Sequence, residues 1–476
     1  MRFVDNFLNS ITMYRLAMYA LFGMALFALI FSFLGLIDFT PAELMLSAAI
    51  LTAACYTSNY IFARLFGAPV NTESCFISAL ILFFILTPAM DLNGAGILAL
   101  AGIIAMASKY LIAPFRRHIF NPAAFGAAAI FLLDLGGASW WVGTSAMFPA
   151  ILITGFLIVR KIRRFDLFFS FFATLLVSAF YFFGAFMEAI LSWPAIFFGT
   201  IMLTEPITTP PTKKLRIIYG VLIGLFFNAA PPEFILIAGN TFSYIVGFKK
   251  KIFLTLKNKN EIAKDIFEFV FSPDKKISFA PGQYLEWTLP HDRPDSRGVR
   301  RYFTIASSPT EQEIKLGVKL SRPPSSFKKN LIELKNGQRA FAGQLAGDFT
   351  LPRDKKKKLA FIAGGIGITP FRSMIKYMVD SGERRDIALL YAVKNENKIA
   401  YRYLFIEAEA KIGLRTEYVI SRLIDAALIR EKLADWRERI FYISGPEAMV
   451  DAFKKMLRGM GVRRKNITTD YFPGFS

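Results

Sequence analysis

The stretch FIAGGIGITPF, residues 361–371, reads as a strand running into glycines and then into a helix. Glycines let a backbone come close to a pyrophosphate, and a helix N-terminus offers unpaired N–H donors and the positive end of a dipole. A second strand end, ISGPEAMV at 443–450, follows in the same alternating text. Ligands of open parallel sheets bind at the carboxyl ends of strands, so the two turns together point to a nucleotide. The first half of the chain offers different chemistry. RRHIFNPAAFG, residues 116–126, holds His118, the only histidine among the first 250 residues. A haem held between paired histidines across a bilayer is therefore not expected.

Three polar stretches interrupt this apolar half: PVNTESCFISALIL (69–82), SKYLIAPFRRHIFNPAAFG (108–126) and LTEPITTPPTKKLRIIYG (203–220). They carry Asn71, Thr72, Glu73, Lys109, His118, Asn121, Glu205, Thr208 and Thr209. Polar groups at membrane depth are costly and tend to be functional. The alternative is structural: they cap half-helices and bond one another. Glu73 and Glu205 could equally serve ion or proton movement. Cys55 and Cys75 are the two cysteines, without zinc or ferredoxin-type spacing. They read as small buried apolar residues, or as a pair for an intersubunit cluster.

The elements that must position these residues change character near residue 248. Before it, runs such as YRLAMYALFGMALFALIFSFLGL are nearly free of charge; after it comes the mixed text of a soluble protein. Ten hydrophobic segments lie near 13–35, 43–63, 77–89, 94–113, 123–135, 145–159, 166–187, 190–203, 215–229 and 231–247. About 20 apolar residues suffice to cross a bilayer, and the first segment reads as an anchor, not a cleaved signal. Several segments are shorter, as tilted or broken half-helices would be. Lys and Arg collect on one side of the segments, from Arg2 and Arg64 to Lys249, while Asp38, Asp91, Asp134, Glu188 and Glu233 mark the other. Positive charge marks the cytoplasmic side, so a multi-pass cell-membrane protein with both termini and the soluble half in the cytoplasm is expected. The net charge of +21 suits anionic lipid, and a membrane tether argues against nucleic acid. Residues 249–290 alternate as strands, and strand and helix alternate from 358 onward. The expected fold is a polytopic α-helical membrane domain (1–247), an antiparallel β-barrel (248–352) and a parallel α/β domain (353–476).

The motifs of residues 248–476 together resemble the ferredoxin–NADP reductase family. The resemblance implies FAD, NAD(P)H and hydride transfer between them. Arg301, Tyr302, Phe303 and Thr304 fall in the family's Arg-x-Tyr-Ser element. Arg301 would pair with the FAD pyrophosphate, Phe303 would lie on the isoalloxazine, and Thr304 would bond near flavin N5. Ser326 matches a second phosphate contact, and Gly364, Gly365, Gly367, Thr369 and Pro370 match the nicotinamide loop. Ser444, Gly445, Pro446 and Glu447 match a Cys-Gly-Pro motif with serine for cysteine, a change that would slow hydride transfer. Tyr471 and Phe472 would cover the flavin, or else pack the domain edge. Lys394 or Arg402 could meet a 2′-phosphate or lie in solvent, leaving NADH or NADPH open.

The membrane half resembles the membrane flavin subunits of the Rnf complex and of sodium-translocating NADH:quinone reductase. The resemblance rests on the Asn-Thr-Glu-Ser, His-x-Phe-Asn-Pro-Ala-Ala and Thr-Glu-Pro-Ile-Thr-Thr-Pro elements. It implies a flavin, FMN or riboflavin, held without a covalent bond among the polar residues named above. Those families also hold FMN covalently in Ser-Gly-Ala-Thr; here Gly136–Ser139 reads Gly-Gly-Ala-Ser, leaving Ser139 as the counterpart. The reading is an oxidoreductase passing electrons from NAD(P)H through FAD and a membrane flavin to quinone or an extracytoplasmic acceptor. The alternative is an ion or solute transporter with a regulatory or driving reductase domain.

Overall fold

The computed structural model describes residues 7–8, 11–68, 72–114, 118–183, 194–247, 252–292, 294–295, 299–320 and 323–472. The chain divides into two compact units, Met1–Lys249 and Lys250–Ser476.

The first unit is helical: α1 Met13–Phe33, α2 Pro41–Leu65, α3 Thr72–Ile85, α4 Leu92–Leu111, α5 Pro122–Leu132, α6 Phe148–Ile162 and α7 Phe165–Phe183 are followed by α8 Ala195–Phe197, α9 Lys213–Phe226 and α10 Pro232–Val246. Short polar caps set the starts. Thr40 and Glu43 form a reciprocal capping box ahead of α2, and Asp91 caps α4. A helix occupies part of each expected hydrophobic stretch. Four of them, α1, α2, α4 and α7, are long and apolar enough to cross a membrane. Their outward faces are apolar, with Phe22, Phe27 and Phe33 exposed on α1 and Phe169 and Phe180 on α7.

Other helices are shorter, α3 and α5 among them. By the helical rise, the 14 residues of α3 and the 11 of α5 cover about 21 and 17 Å, less than a bilayer core of about 30 Å. A helix ending inside a bundle leaves carbonyls to be satisfied. The loop after α5 does this for α3: Trp140 N–H donates to Ile85 O at 3.0 Å and Trp141 Nε1 to Phe83 O at 2.7 Å. Directly after α8 the helix widens into a π-turn, Phe198–Met202. Small residues let α7 and α9 touch; a Cβ on Gly224 would stand 2.4 Å from Phe171 O. Cys55 and Cys75 are free and buried.

The second unit holds two sheets. β1 Ile252–Ala263, β2 Ile266–Pro273, β3 Tyr284–Thr288, β4 Arg300–Thr304, β5 Ile314–Lys319 and β6 Arg339–Ala346 form an antiparallel sheet of order β4-β3-β6-β1-β2-β5, with α11 Ser326–Glu333 between β5 and β6 in the chain. Then β7 Leu359–Gly364, β8 Ile387–Val393, β9 Arg415–Ile420, β10 Ile440–Pro446 and β11 Ile467–Phe472 form a parallel sheet of order β11-β10-β7-β8-β9. Helices α12 Thr369–Ser381, α13 Arg402–Ile412, α14 Ala426–Lys432 and α15 Glu447–Gly459 link these strands. Strand β7, LAFIAG, is buried along its length, as a central parallel strand covered on both faces must be.

Candidate functional site

Strand order locates the switch point of the parallel sheet in the second unit. From β7 the chain winds outward through β8 and β9, then returns to β10 on the other side of β7. Connections leaving β7 and β10 therefore run to opposite sides, which makes this strand end the switch point where such sheets bind ligands. Both glycine turns found in the sequence sit there. Gly365 has φ +54°, a backbone that L side chains rarely adopt, and it turns β7 into α12. Gly367 lies against the Ser444–Gly445 backbone of the neighbouring turn. Thr369 and Pro370 begin α12, and the Thr369 hydroxyl donates to Ile366 O at 3.2 Å. Ser444 is buried, and its Oγ has no hydrogen-bond partner among the described residues.

On the antiparallel sheet, Arg301 and Phe303 alternate onto one face of β4. The Arg301 guanidinium lies 5.3 Å from the Phe327 ring and donates to Asp295 Oδ1 at 3.2 Å. Phe303 meets Phe327 at 5.7 Å between centroids. Ser326 opens α11, and its Oγ accepts from Asp295 N at 2.9 Å. An arginine, a hydroxyl and a helix start thus converge beside two rings; the Asp295 carboxylate accepts from Arg301 and, through Oδ2, from Ser326 N at 3.1 Å, and the same donors suit a pyrophosphate. Tyr302 is not brought into this group. Half exposed, its hydroxyl donates to Glu286 Oε2 at 2.9 Å. Thr304 is buried at the end of β4.

The C-terminal strand β11 runs beside β10 and sets Tyr471 opposite Gly445 and Phe472 opposite Pro446, so both lie at the Ser444–Pro446 turn by register. Arg402 donates to Glu396 Oε1 at 2.8 Å, and the Lys394 carbonyl accepts from Ser421 Oγ at 2.7 Å.

Asn71 lies outside the described residues. The other polar residues of the helical unit divide into two groups. In one, Arg15 Nε donates to Glu73 Oε1 at 2.6 Å and Lys109 Nζ to Ser74 Oγ at 3.2 Å, while Thr72 begins α3 exposed. In the other, Glu205 collects partners. Asn121 Nδ2 donates to Glu205 Oε2 at 3.0 Å, Thr208 Oγ1 to the same oxygen at 3.3 Å, and His118 Nε2 stands 3.6 Å from Oε1. Asn121 also caps α5 through Ala124 N, as a half-helix start requires. Thr209 turns instead to Pro206 O at 3.2 Å. Two members were not singled out from sequence: Asn240 Oδ1 accepts from Asn121 N at 2.8 Å, and Asn240 Nδ2 donates to Tyr219 Oη at 3.2 Å. A lone asparagine in the apolar run of α10 was the available signal. Ser139 is exposed, next to buried Trp140.

Residues 361–455 match the family model described as the oxidoreductase NAD-binding domain. A flavohemoprotein of Bacillus subtilis (strain 168) is 26% identical over 246 residues, 48% of this chain and 60% of its own. The C-terminal unit is a ferredoxin–NADP reductase-like FAD/NAD-binding module, and its relatives support an NAD(P)H-dependent FAD oxidoreductase. Another relative of this reductase module, the tetrachlorobenzoquinone reductase of Sphingobium chlorophenolicum, is 29% identical over 209 residues, 42% of this chain and 62% of its own. The chain thus spans about three-fifths of the length of these curated relatives. Among solved structures, the FAD/NAD-binding domain of a Vibrio cholerae nitric oxide dioxygenase aligns with a TM-score of 0.41 at 19% identity, covering 46% of this chain and 98% of that one.

Proposed function

We propose that this chain carries electrons from cytoplasmic NADH or NADPH, through FAD in the reductase module, to a second flavin in the helical unit and on to a quinone or an extracytoplasmic acceptor. FAD supplies a centre that accepts a hydride and releases single electrons. Arg301 and Ser326 would hold its pyrophosphate, Phe303 its ring and Thr304 the edge near N5. Gly364, Gly365, Gly367, Thr369, Pro370, Gly445 and Pro446 would cradle the nicotinamide nucleotide, with Ser444 and Phe472 beside the reacting ring. The ten hydrophobic segments would lie in the membrane, the short ones tilted or as broken half-helices, leaving both termini in the cytoplasm.

The observation that carries the membrane step is the cluster at Glu205. His118 Nε2 is buried there without a hydrogen-bond partner among the described residues, a cost that a bound polar ring would remove. FMN or riboflavin held without a covalent link fits that donor and acceptor set, with Asn71, Thr72 and Lys109 in the neighbouring polar stretches. A relative named as a quinone reductase supports a quinone-type acceptor. The test is flavin content per chain after mild detergent purification, with FAD, FMN and riboflavin separated after acid release. One FAD plus about one further flavin supports the reading; FAD alone ends the two-flavin path, and a flavin that stays on the denatured chain shifts attention to Ser139.

One observation favours ion movement as a second reading. Glu233, in the first turn of α10, is 1% exposed and accepts from Trp140 Nε1 at 3.0 Å. Buried carboxyls inside helical membrane units serve proton and ion pathways. Solute or ion flux into sealed vesicles that continues without NAD(P)H would favour this reading over electron transfer.

A further inference from the structure

The two sheets of the reductase module are joined at a pair of residues outside every motif described above. Arg372 lies in the first turn of α12, three residues after Thr369, and is 6% exposed. Its guanidinium meets the Glu311 carboxylate fork to fork, Nη1 to Oε2 and Nη2 to Oε1, the second bond being 3.0 Å. Nη1 also donates to Ala306 O at 3.0 Å, and the next residue, Ser373, donates Oγ to Ser307 O at 2.6 Å. Glu311 is held in turn by Ser308 N at 2.7 Å and Lys315 Nζ at 2.8 Å. Two consecutive carbonyls after Thr304 are therefore fastened to the helix that starts after Gly367. The other side of the junction is equally close. A Cβ on Gly317 would stand 2.7 Å from Thr369 Cγ2 and 2.8 Å from Tyr401 Oη.

Neither stability nor helix propensity explains this pair. A cation in the first turn opposes the helix dipole, and a buried ion pair is often no more stabilising than apolar residues of the same volume. What a bidentate arginine supplies is fixed geometry. Burial alone would raise the Glu311 carboxyl, but the bonds and charge of Arg372, with Lys315 and the Ser308 N–H, outweigh it and hold the group at about 2. The pair is thus charged at neutral pH.

We propose that Arg372 and Glu311 are positioning residues that set the reach between the nicotinamide turn at Gly364–Thr369 and the flavin edge at Phe303–Thr304. The proposal rests on the FAD and NAD(P)H reading of this module. Hydride transfer needs its two carbon and nitrogen centres at roughly 3–3.5 Å, and a misplacement of about 1 Å can cost about 100-fold in rate. With the junction loosened, both cofactors still bind, each on its own sheet, while their separation is no longer fixed.

The experiment compares the full-length protein with Arg372→Lys, Glu311→Gln and Ser373→Ala, each in detergent. Four quantities are read: FAD per chain, NADH and NADPH affinity, the single-turnover rate of flavin reduction, and the long-wavelength charge-transfer absorbance of the nicotinamide–flavin complex. The expected result is FAD content and affinity within about 2-fold of wild type, with reduction slowed about 10- to 100-fold in Arg372→Lys and Glu311→Gln, less in Ser373→Ala, and the charge-transfer band weakened in step. Wild-type rates in Arg372→Lys and Glu311→Gln would overturn the proposal, as would a loss explained wholly by missing FAD or weaker nucleotide binding. Should Glu311→Gln fail to fold, Arg372→Lys and Ser373→Ala decide by the same criteria. A wild-type flavin that neither nucleotide reduces is a separate failure, that of the underlying reading.

Discussion

A Cβ placed on Gly367 would stand 2.3 Å from the carbonyl oxygen of Ser444. The turns leaving β7 and β10 are thus in backbone contact, and no rotamer change can relieve a side chain there. Gly367→Ala must push the two turns apart. Overpacking of this kind costs about 1–3 kcal/mol, so NAD(P)H affinity should fall roughly 10- to 100-fold while FAD stays bound. Titration of the oxidised protein with NADP⁺ and NAD⁺, followed by flavin absorbance, measures both. Unchanged affinity for both nucleotides would show that these turns are not their site.

Arg301 should matter to the other cofactor. Its guanidinium joins β4 to the start of α11, where charge-assisted bonds to a phosphate are strongest. Arg301→Ala should release FAD, with an affinity loss of about 10- to 100-fold, and leave the helical unit's properties intact. Flavin absorbance of the purified protein before and after dilution reads this directly. Full retention of FAD would move the pyrophosphate elsewhere.

Acid should test the junction of the two sheets. The folded Glu311 pKa, about 2, lies below its ordinary value near 4.3. Its contribution to stability is therefore complete above about 4.3 and is lost as pH falls toward 2. Denaturant midpoints of wild type and Glu311→Gln, measured from about pH 6 down to about pH 3, should converge as the acid limb is approached. Parallel curves would mean that the carboxylate is not held as described.

The Glu205 cluster makes a separable prediction. Glu205→Gln and Asn121→Ala should lower the second flavin and quinone reduction by about 10-fold or more, as loss of a charged hydrogen-bond partner does. Electron flow from NADH or NADPH to ferricyanide, which the reductase module can reduce directly, should persist. Loss of both activities together would point to damage of the whole chain; loss of neither would leave the cluster a structural cap.

The parts legible in the sequence were those made by local backbone chemistry. Glycines at 364, 365 and 367 mark a turn wherever they stand, and Asn121 before Pro122 marks a helix start. What brings Gly367 onto Ser444 is strand order, and no local pattern encodes that β10 returns beside β7. Arg372 carries no local signal beyond a polar position after Pro370, and Glu311, in TEQE, none beyond a polar turn. Their meeting depends on the docking of one sheet's exit on the other's helix. Likewise Asn240 bonds Asn121 from more than a hundred residues away, so only the packing of α10 could reveal it.

The π-turn at Phe198–Met202 has a counting consequence. A π-turn holds one residue more than the α-helical turn it replaces, so everything beyond it is rotated by about 100° from the regular helical phase. Glu205 follows three residues later, in the turn that ends this helix, so the extra residue sets where that turn begins. Deleting a single residue between 198 and 202 should restore ordinary winding and shift the start of the turn that carries Glu205, with every contacting side chain still present in the chain. For sequences aligned to this one, the length of that short interval is as informative as the glutamate itself.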